Sequence, residues 1–282
     1  MHNTRFAPSP TGFLHLGHAF AAITAYEAAQ GGAFHLRIED LDQSRARPEY
    51  EVAIEQDLSW LGLRWQRPVL RQSTRLAAYR HALGQLRDLG LLYPCFCTRR
   101  EIQAEIARAS EAPHEPDHGV YPGICRKLPA AERERALARA QPHVMRLDAA
   151  RAAARIATLT FTELGKGPAG EHGTIQVDAT LLGDVVLARK DIACAYHLAV
   201  VLDDAFQGIS LVTRGNDLFP ATHVQRLLQA LLGLPAPLYA HHRLLIDPEG
   251  RKFSKRNQAV TLRSFREQGM DGSQIRRTLG LD

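Results

Sequence analysis

The chain has 282 residues, 45% of them hydrophobic, with a formal net charge of +5, enough for one large domain carrying a smaller insertion. No apolar run reaches the ~18 residues of a membrane helix, and the start lacks a signal peptide's apolar core, so a cytoplasmic chain with no membrane partner is expected. The positive balance suits a polyanionic partner without identifying one, and four cysteines in such a compartment argue for metal binding or burial over disulfides.

In chain order, Arg5 to Ala7 has the character of the end of a short buried strand. Pro8, Pro10 and Gly12 then force an extended turn, because proline fixes φ and glycine admits conformations closed to other residues. A helix is predicted from about Leu14 through Phe20, Ile23 and Tyr26 to a stop at Gly31-Gly32. Its first turn holds His15 and His18 on one face, with Gly17 between them leaving room for a ligand. Free N–H groups and two imidazole donors at a helix start are suited to a polyphosphate. Two surface histidines would be the plainer account of that tetrapeptide taken alone.

A strand over Ala33–Asp42 follows and ends in acidic residues, with Glu39, Asp40 and Asp42 placed either to grip an amine or to cap the next element. Two helices come next, one entered at Pro48 with Ile54, Leu58 and Leu61 inward, the other carrying Leu76, Tyr79, Leu83, Leu86 and Leu89 and closed by Gly90. Residues 94–190 then interrupt the alternation as an insertion. It opens on Cys95-Phe96-Cys97, with Tyr121 and Cys125 further on. Thiolates at that spacing bind a soft cation when a loop supplies further ligands, and otherwise pack as small hydrophobes. A charged helix over Pro129–Ala140 and strands over 143–148, 159–163 and 183–189 complete the insertion, and Cys194 reads as packing in a separate strand. The apolar run Tyr196–Asp204 reads as a doubly covered strand, and Ile209–Thr213 as another that ends at Arg214. Arg5 and Arg214 are two guanidinium forks at strand ends, fit for a molecule with two carboxylates or for structural salt bridges. A helix over about Pro220–Leu232, a segment Tyr239–Ile246, the run Lys252-Phe253-Ser254-Lys255-Arg256 and a short helical tail end the chain.

The run Arg5-Phe6-Ala7-Pro8-Ser9-Pro10-Thr11-Gly12-Phe13-Leu14-His15-Leu16-Gly17-His18 resembles the nucleotide-binding motif of class I aminoacyl-tRNA synthetases, in the form used by the glutamyl and glutaminyl enzymes. Lys252 to Arg256 resembles that family's lysine loop, with Phe for Met and Arg for the final Ser. Two of only five lysines in the chain fall in this pentapeptide. The resemblance implies an α/β fold: a Rossmann-like doubly wound parallel sheet in two parts (1–93 and 191–245), an inserted α+β acceptor-binding and zinc subdomain (94–190), and the lysine loop with its helical tail (246–282). It further implies ATP held by Pro8, Thr11, Gly12, His15, Gly17, His18 and Lys255. L-glutamate would be held by Arg5, Ala7, Ser9, Glu39, Tyr196 and Arg214, with Glu39 on the α-amino group. Catalysis would fall to His15, His18, Lys252 and Lys255, with Mg²⁺ accompanying ATP.

Cys95, Cys97, Tyr121 and Cys125 resemble the Cys-x-Cys and Tyr-x-x-x-Cys ligands of zinc in the glutamyl-Q tRNA(Asp) synthetases. The stretch 104–120 is longer than that pattern, and its His114 or His118 could replace the phenolate. The chain stops soon after the lysine loop, where ordinary glutamyl-tRNA synthetases continue into an anticodon-binding domain. That difference points to the glutamyl-Q group, which transfers activated glutamate to the queuosine base at the wobble position of tRNA(Asp). The chain is expected to act as a monomer. Charging of the tRNA 3′ end, glutamate adenylation for a non-tRNA acceptor, and a catalytically dead tRNA binder are the competing readings.

Overall fold

The computed structural model describes residues 1–102, 120–189, 194–245 and 260–281. The first unit is β1 (Thr4–Phe6), α1 (Leu16–Ala28), β2 (Phe34–Ile38), α2 (Pro48–Trp60), β3 (Gln66–Arg71) and α3 (Leu76–Asp88). Its three strands form a parallel sheet in the order β1-β2-β3. β3 has no counterpart in the periodicity of the sequence. It is an edge strand with only Val69 buried, so it shows neither alternation nor an apolar run, and the edge tolerates Pro68.

The chain continues through β4 (Leu92–Cys95), α4 (Ala130–Ala138), β5 (Val144–Leu147), α5 (Ala149–Ala153), β6 (Thr160–Glu163), β7 (Gly173–Gln176) and β8 (Val186–Ala188). Strands β4, β5 and β8 make a small antiparallel sheet. Strands β6 and β7 join a different sheet, ordered β7-β6-β10-β9, in which β10 runs parallel to both neighbours. Residues 160–176, expected within the insertion, therefore share a sheet with the second half of the parallel core.

That second half is α6 (Tyr196–Phe206), β9 (Leu211–Gly215), α7 (Phe219–Leu231) and β10 (Leu238–His242). The backbone carbonyl of Asn3 accepts from the N–H groups of Ser210 (3.0 Å) and Leu211 (3.1 Å), which seats the start of β1 against the start of β9. The β1-β2-β3 sheet and the parallel part of the second sheet, whose β7 is antiparallel to β6, thus meet edge to edge, and the C-terminal ends of β1, β2 and β9 open on one crevice. Helices α8 (Leu262–Glu267) and α9 (Gly272–Leu279) return to the first unit, where Leu262, Ile275 and Leu279 join a core with Phe20, Ile23, Leu36, Ile54 and Leu58.

The doubly covered strand expected over Tyr196–Asp204 is instead helix α6. Leu198, Ala199, Val200 and Val201 are all buried, against Tyr79, Leu86, Leu187, Val224 and Leu228 among others. A helix wrapped this completely shows no amphipathic period, and a short apolar run alone cannot tell it from a buried strand. Cys194 does pack in this core, in the loop before α6, not in a strand.

Candidate active site

Helix α1 begins at Leu16, with His15 as its N-cap in extended backbone. The Gly17 N–H donates to His15 Nδ1 at 3.1 Å, and the His15 N–H donates to His18 Nδ1 at 3.2 Å. The helix-start N–H groups expected to be free are therefore partly taken up by the imidazoles themselves. Each Nδ1 accepts, so the ring proton of each neutral histidine lies on Nε2. The two rings stand 3.8 Å apart, centre to centre. Thr261 forms a β-bridge with His15, and the Leu262 N–H donates to Leu14 O at 2.8 Å. Lys252 and Lys255 lie outside the described residues.

Three residues beyond His18 on the same helical face, Ala21 lines a cavity of about 470 Å³. Arg5, Ala7, Ser9, Glu39, Tyr196 and Arg214 line it too. These six side chains come from segments as far apart as residues 5 and 214, and the crevice at the strand ends gathers them. The turn after β1 is pinned by the Glu39 N–H on Pro8 O (3.0 Å) and the Arg47 N–H on Pro10 O (3.0 Å), while Thr11 N–H closes onto Ser9 O. Ser9 is thereby set beside Glu39. A second cavity, of about 230 Å³, shares Ser9, Glu39 and Tyr196 and adds Asp42, Gln72 and Arg189. Asp40 serves as a cap: its carboxylate accepts from the Ser73 N–H at 2.8 Å.

Charge in the main cavity is organised around Asp204, to which the sequence reading assigned no role. Arg5 Nε donates to Asp204 Oδ1 at 3.0 Å and Arg37 Nη1 donates to the same oxygen at 2.7 Å. Burial would raise the Asp204 pKa, but Arg5 and Arg37 outweigh it and hold the carboxyl below its ordinary value. Glu39 differs. Burial pushes its carboxyl up to about 7, against the opposing pull of Arg37 and Arg5. Arg37 Nη2 is 3.7 Å from Glu39 Oε1, an ion pair without a hydrogen bond. Alternation along a strand puts residues 37 and 39 on one face, and this was the available signal for Arg37. Behind Tyr196, burial and then Arg214 bring His197 down to about 4, so its ring is neutral near pH 7. Arg214 is held by His241 of β10 and by Gln225 and Thr222 of α7, contacts from a strand and a helix that no local pattern announces.

In the antiparallel sheet, Cys95 ends β4 and Cys125 starts a short turn. The sulfurs of Cys95, Cys97 and Cys125 lie within 4.8 Å of one another. Tyr121 Oη sits 3.3 Å from Cys95 Sγ and 3.6 Å from Cys97 Sγ, and accepts the Cys125 N–H at 2.8 Å. Four ligands around a tetrahedral ion with metal–sulfur bonds of about 2.3 Å would lie roughly 3.8 Å apart, so three sulfurs and this oxygen fit a single soft cation. Arg146 stacks its guanidinium 3.8 Å over the Tyr121 ring. His114 and His118 lie outside the described residues.

The family described as "tRNA synthetases class I (E and Q), catalytic domain" matches residues 2–281. A "Glutamyl-Q tRNA(Asp) synthetase" of Rhodobacter capsulatus is 49% identical over 99% of both chains, and one of Nocardia farcinica is 43% identical over 96% of this chain and 81% of its own. A "Glutamate--tRNA ligase" of Aquifex aeolicus is 40% identical over 94% of this chain but 54% of its own. Among solved structures, the glutamate-tRNA synthetase from Elizabethkingia anophelis superposes with a TM-score of 0.74 at 31% identity over 91% of this chain. The chain spans about half the length of that structure, 53%. A match over nearly every residue, with close relatives on both measures, leaves one assignment: the chain belongs to the class I tRNA synthetases of the E and Q type.

Proposed function

We propose that this protein activates L-glutamate with ATP as glutamyl-adenylate and transfers it to the queuosine base of tRNA(Asp). The observation that carries the reading is the convergence of Arg5, Glu39, Tyr196 and Arg214 on one cavity whose wall continues the helical face of His15 and His18. The names of the full-length relatives support queuosine as the acceptor.

The α-carboxylate of glutamate attacks the α-phosphorus of ATP, and the bond to pyrophosphate breaks. An acceptor hydroxyl then attacks the acyl carbon, and AMP leaves. Neither step needs a protein nucleophile, so the residues contribute positioning and stabilisation of developing charge. Glu39 receives the ammonium, and the Arg5 and Arg214 forks receive carboxylates. The Nε2 protons of His15 and His18, with Lys252 and Lys255, serve the phosphates. Mg²⁺ supplies charge neutralisation among phosphate oxygens when bound with ATP. Cys95, Cys97, Tyr121 and Cys125 would hold a structural zinc ion that ties the Tyr121–Cys125 turn to β4.

The acceptor is tested with labelled glutamate, ATP and tRNA that contains or lacks queuosine. Label should enter only the queuosine-containing tRNA; equal entry into both would overturn the acceptor. Glu39 gives a second test. Its carboxyl must be ionised to hold an ammonium, so KM for glutamate should fall as pH rises through 7 and be about tenfold lower at pH 8 than at pH 6. Glu39→Gln should raise KM and flatten the profile. A Glu39→Gln profile as steep as that of the natural protein would remove Glu39 from the amine site.

A further inference from the structure

Arg214 is buried at the cavity wall, and its guanidinium is gripped from behind. Nε donates to His241 Nε2 at 3.1 Å, Nη1 to Gln225 Oε1 at 2.7 Å and Nη2 to Thr222 Oγ1 at 2.6 Å. A guanidinium has donors only, so His241 Nε2 must offer a lone pair and the ring must carry its proton on Nδ1. Glu163 supplies the partner for that proton, with Oε2 at 2.6 Å from His241 Nδ1. Its other oxygen, Oε1, accepts two backbone N–H groups, from His241 and from Gly165, each at 2.8 Å. Position 165 admits only glycine here, because a Cβ would strike the His241 backbone.

We infer that Glu163 and His241 are positioning residues for the amino-acid site: the carboxylate fixes the imidazole tautomer, and the tautomer fixes the Arg214 fork. The inference rests on reading Arg214 as a ligand of a glutamate carboxylate. Charged and titratable groups around the His241 ring are Glu163 from β6, Arg214 from β9 and His242 beside it on β10. Tyr239 stacks on the ring and Phe219 meets it edge-on, so the contact is sealed by aromatic carbon. A proton on Nε2 would remove the acceptor and point a donor at the Arg214 Nε–H.

Glu163→Gln tests this through chemistry that packing alone would not report. The Oε1 position must remain an oxygen to keep its two backbone donors, so the new amide nitrogen falls opposite His241 Nδ1. The ring must then shift its proton to Nε2, directly against Arg214. KM for glutamate should rise about tenfold to a hundredfold, the range set by loss of a hydrogen bond to a charged group, with kcat and KM for ATP unchanged. Imidazole nitrogen NMR should find a neutral Nδ1–H ring in the natural protein and an Nε2–H ring in Glu163→Gln. In a His241→Phe background, Glu163→Gln should add no further rise. A natural protein whose His241 is cationic or protonated on Nε2 at neutral pH overturns the inference without any variant having to fold. Arg214→Ala separates the two levels. If it leaves KM for glutamate unchanged, Arg214 is not a ligand and both readings fall. If it raises KM while Glu163→Gln does not, only the positioning role fails.

Discussion

Asp204→Ala is expected to destabilise the fold by about 3–5 kcal/mol, the cost of leaving buried charge without its partner. Arg5 and Arg37 both donate to the lost carboxylate, and both are buried. Neither gives up its proton, and Arg37 is wholly buried, so two positive charges would face each other across the space the carboxylate had filled. Arg37 retains the Gln207 side-chain oxygen at 2.9 Å, the distant Glu39 and the longer-range pull of Asp203, and Arg5 retains the Thr213 carbonyl at 3.1 Å. For a chain of this size the loss corresponds to a fall in Tm of roughly 10 °C. Asp204→Asn should recover little, because its amide nitrogen is one more donor among donors. The sign with pH follows from the depressed carboxyl pKa: the contribution is complete above the ordinary carboxylate range and disappears as pH falls through the lowered value in the fold. Urea unfolding of the natural protein should therefore steepen toward acid, and the variant should show a flatter dependence. Equal stability of Asp204→Ala and the natural protein at neutral pH would show that the pair of arginines is balanced by something else.

The neighbouring Asp203 sharpens the point. One helical step turns about 100°, so Asp203 faces a different quarter of the fold, where it accepts from Gln72 (2.9 Å), Arg75 (2.8 Å) and Tyr79 (2.7 Å). Two successive carboxylates in α6 thus tie the helix to β1 and β2 on one side and to α3 with its preceding turn on the other. Read as a strand, the same dipeptide would send its side chains to opposite faces of a sheet, and nothing in an apolar run distinguishes the two.

What the sequence made legible was chemistry held in short motifs or delivered to one edge by parallel strands. His15 and His18 are close because a helix makes them so, and Arg5, Glu39 and Arg214 could be placed together because parallel strands deliver their ends to one edge. Cys95, Cys97 and Cys125 declared themselves through spacing, and their sulfurs do cluster. Long-range complementarity stayed hidden. Glu163 and His241 are separated by 78 positions, and their contact depends on β6 pairing with β10. That pairing was obscured because residues 160–163 sit within a stretch read as an insertion. β3 was missed for a different reason: an exposed edge strand rich in charge carries no periodic signal.

Lys255→Ala should lower the rate of adenylate formation by about 10²–10³ while leaving glutamate binding nearly intact. The asymmetry follows from where charge develops. Glutamate is held at the strand ends by Arg5, Glu39 and Arg214 in the proposed site, whereas negative charge accumulates on the transferring phosphoryl group and the departing pyrophosphate. A flexible ammonium can follow those oxygens as they separate, which a buried, clamped guanidinium such as that of Arg214 cannot. Lys255 belongs to the stretch 246–259, outside the described residues, but the chain on both sides of it is anchored at the same place. Leu245 packs against the core that contains α1, and Thr261 bridges to His15 at the start of that helix. ATP–pyrophosphate exchange measures the rate and calorimetry measures glutamate affinity; Lys252→Ala, at the assisting lysine three residues earlier, should cost less than Lys255→Ala. Exchange at the natural rate in Lys255→Ala would strip the residue of its role, and a lost glutamate affinity with normal exchange at saturation would move it into the amino-acid site instead.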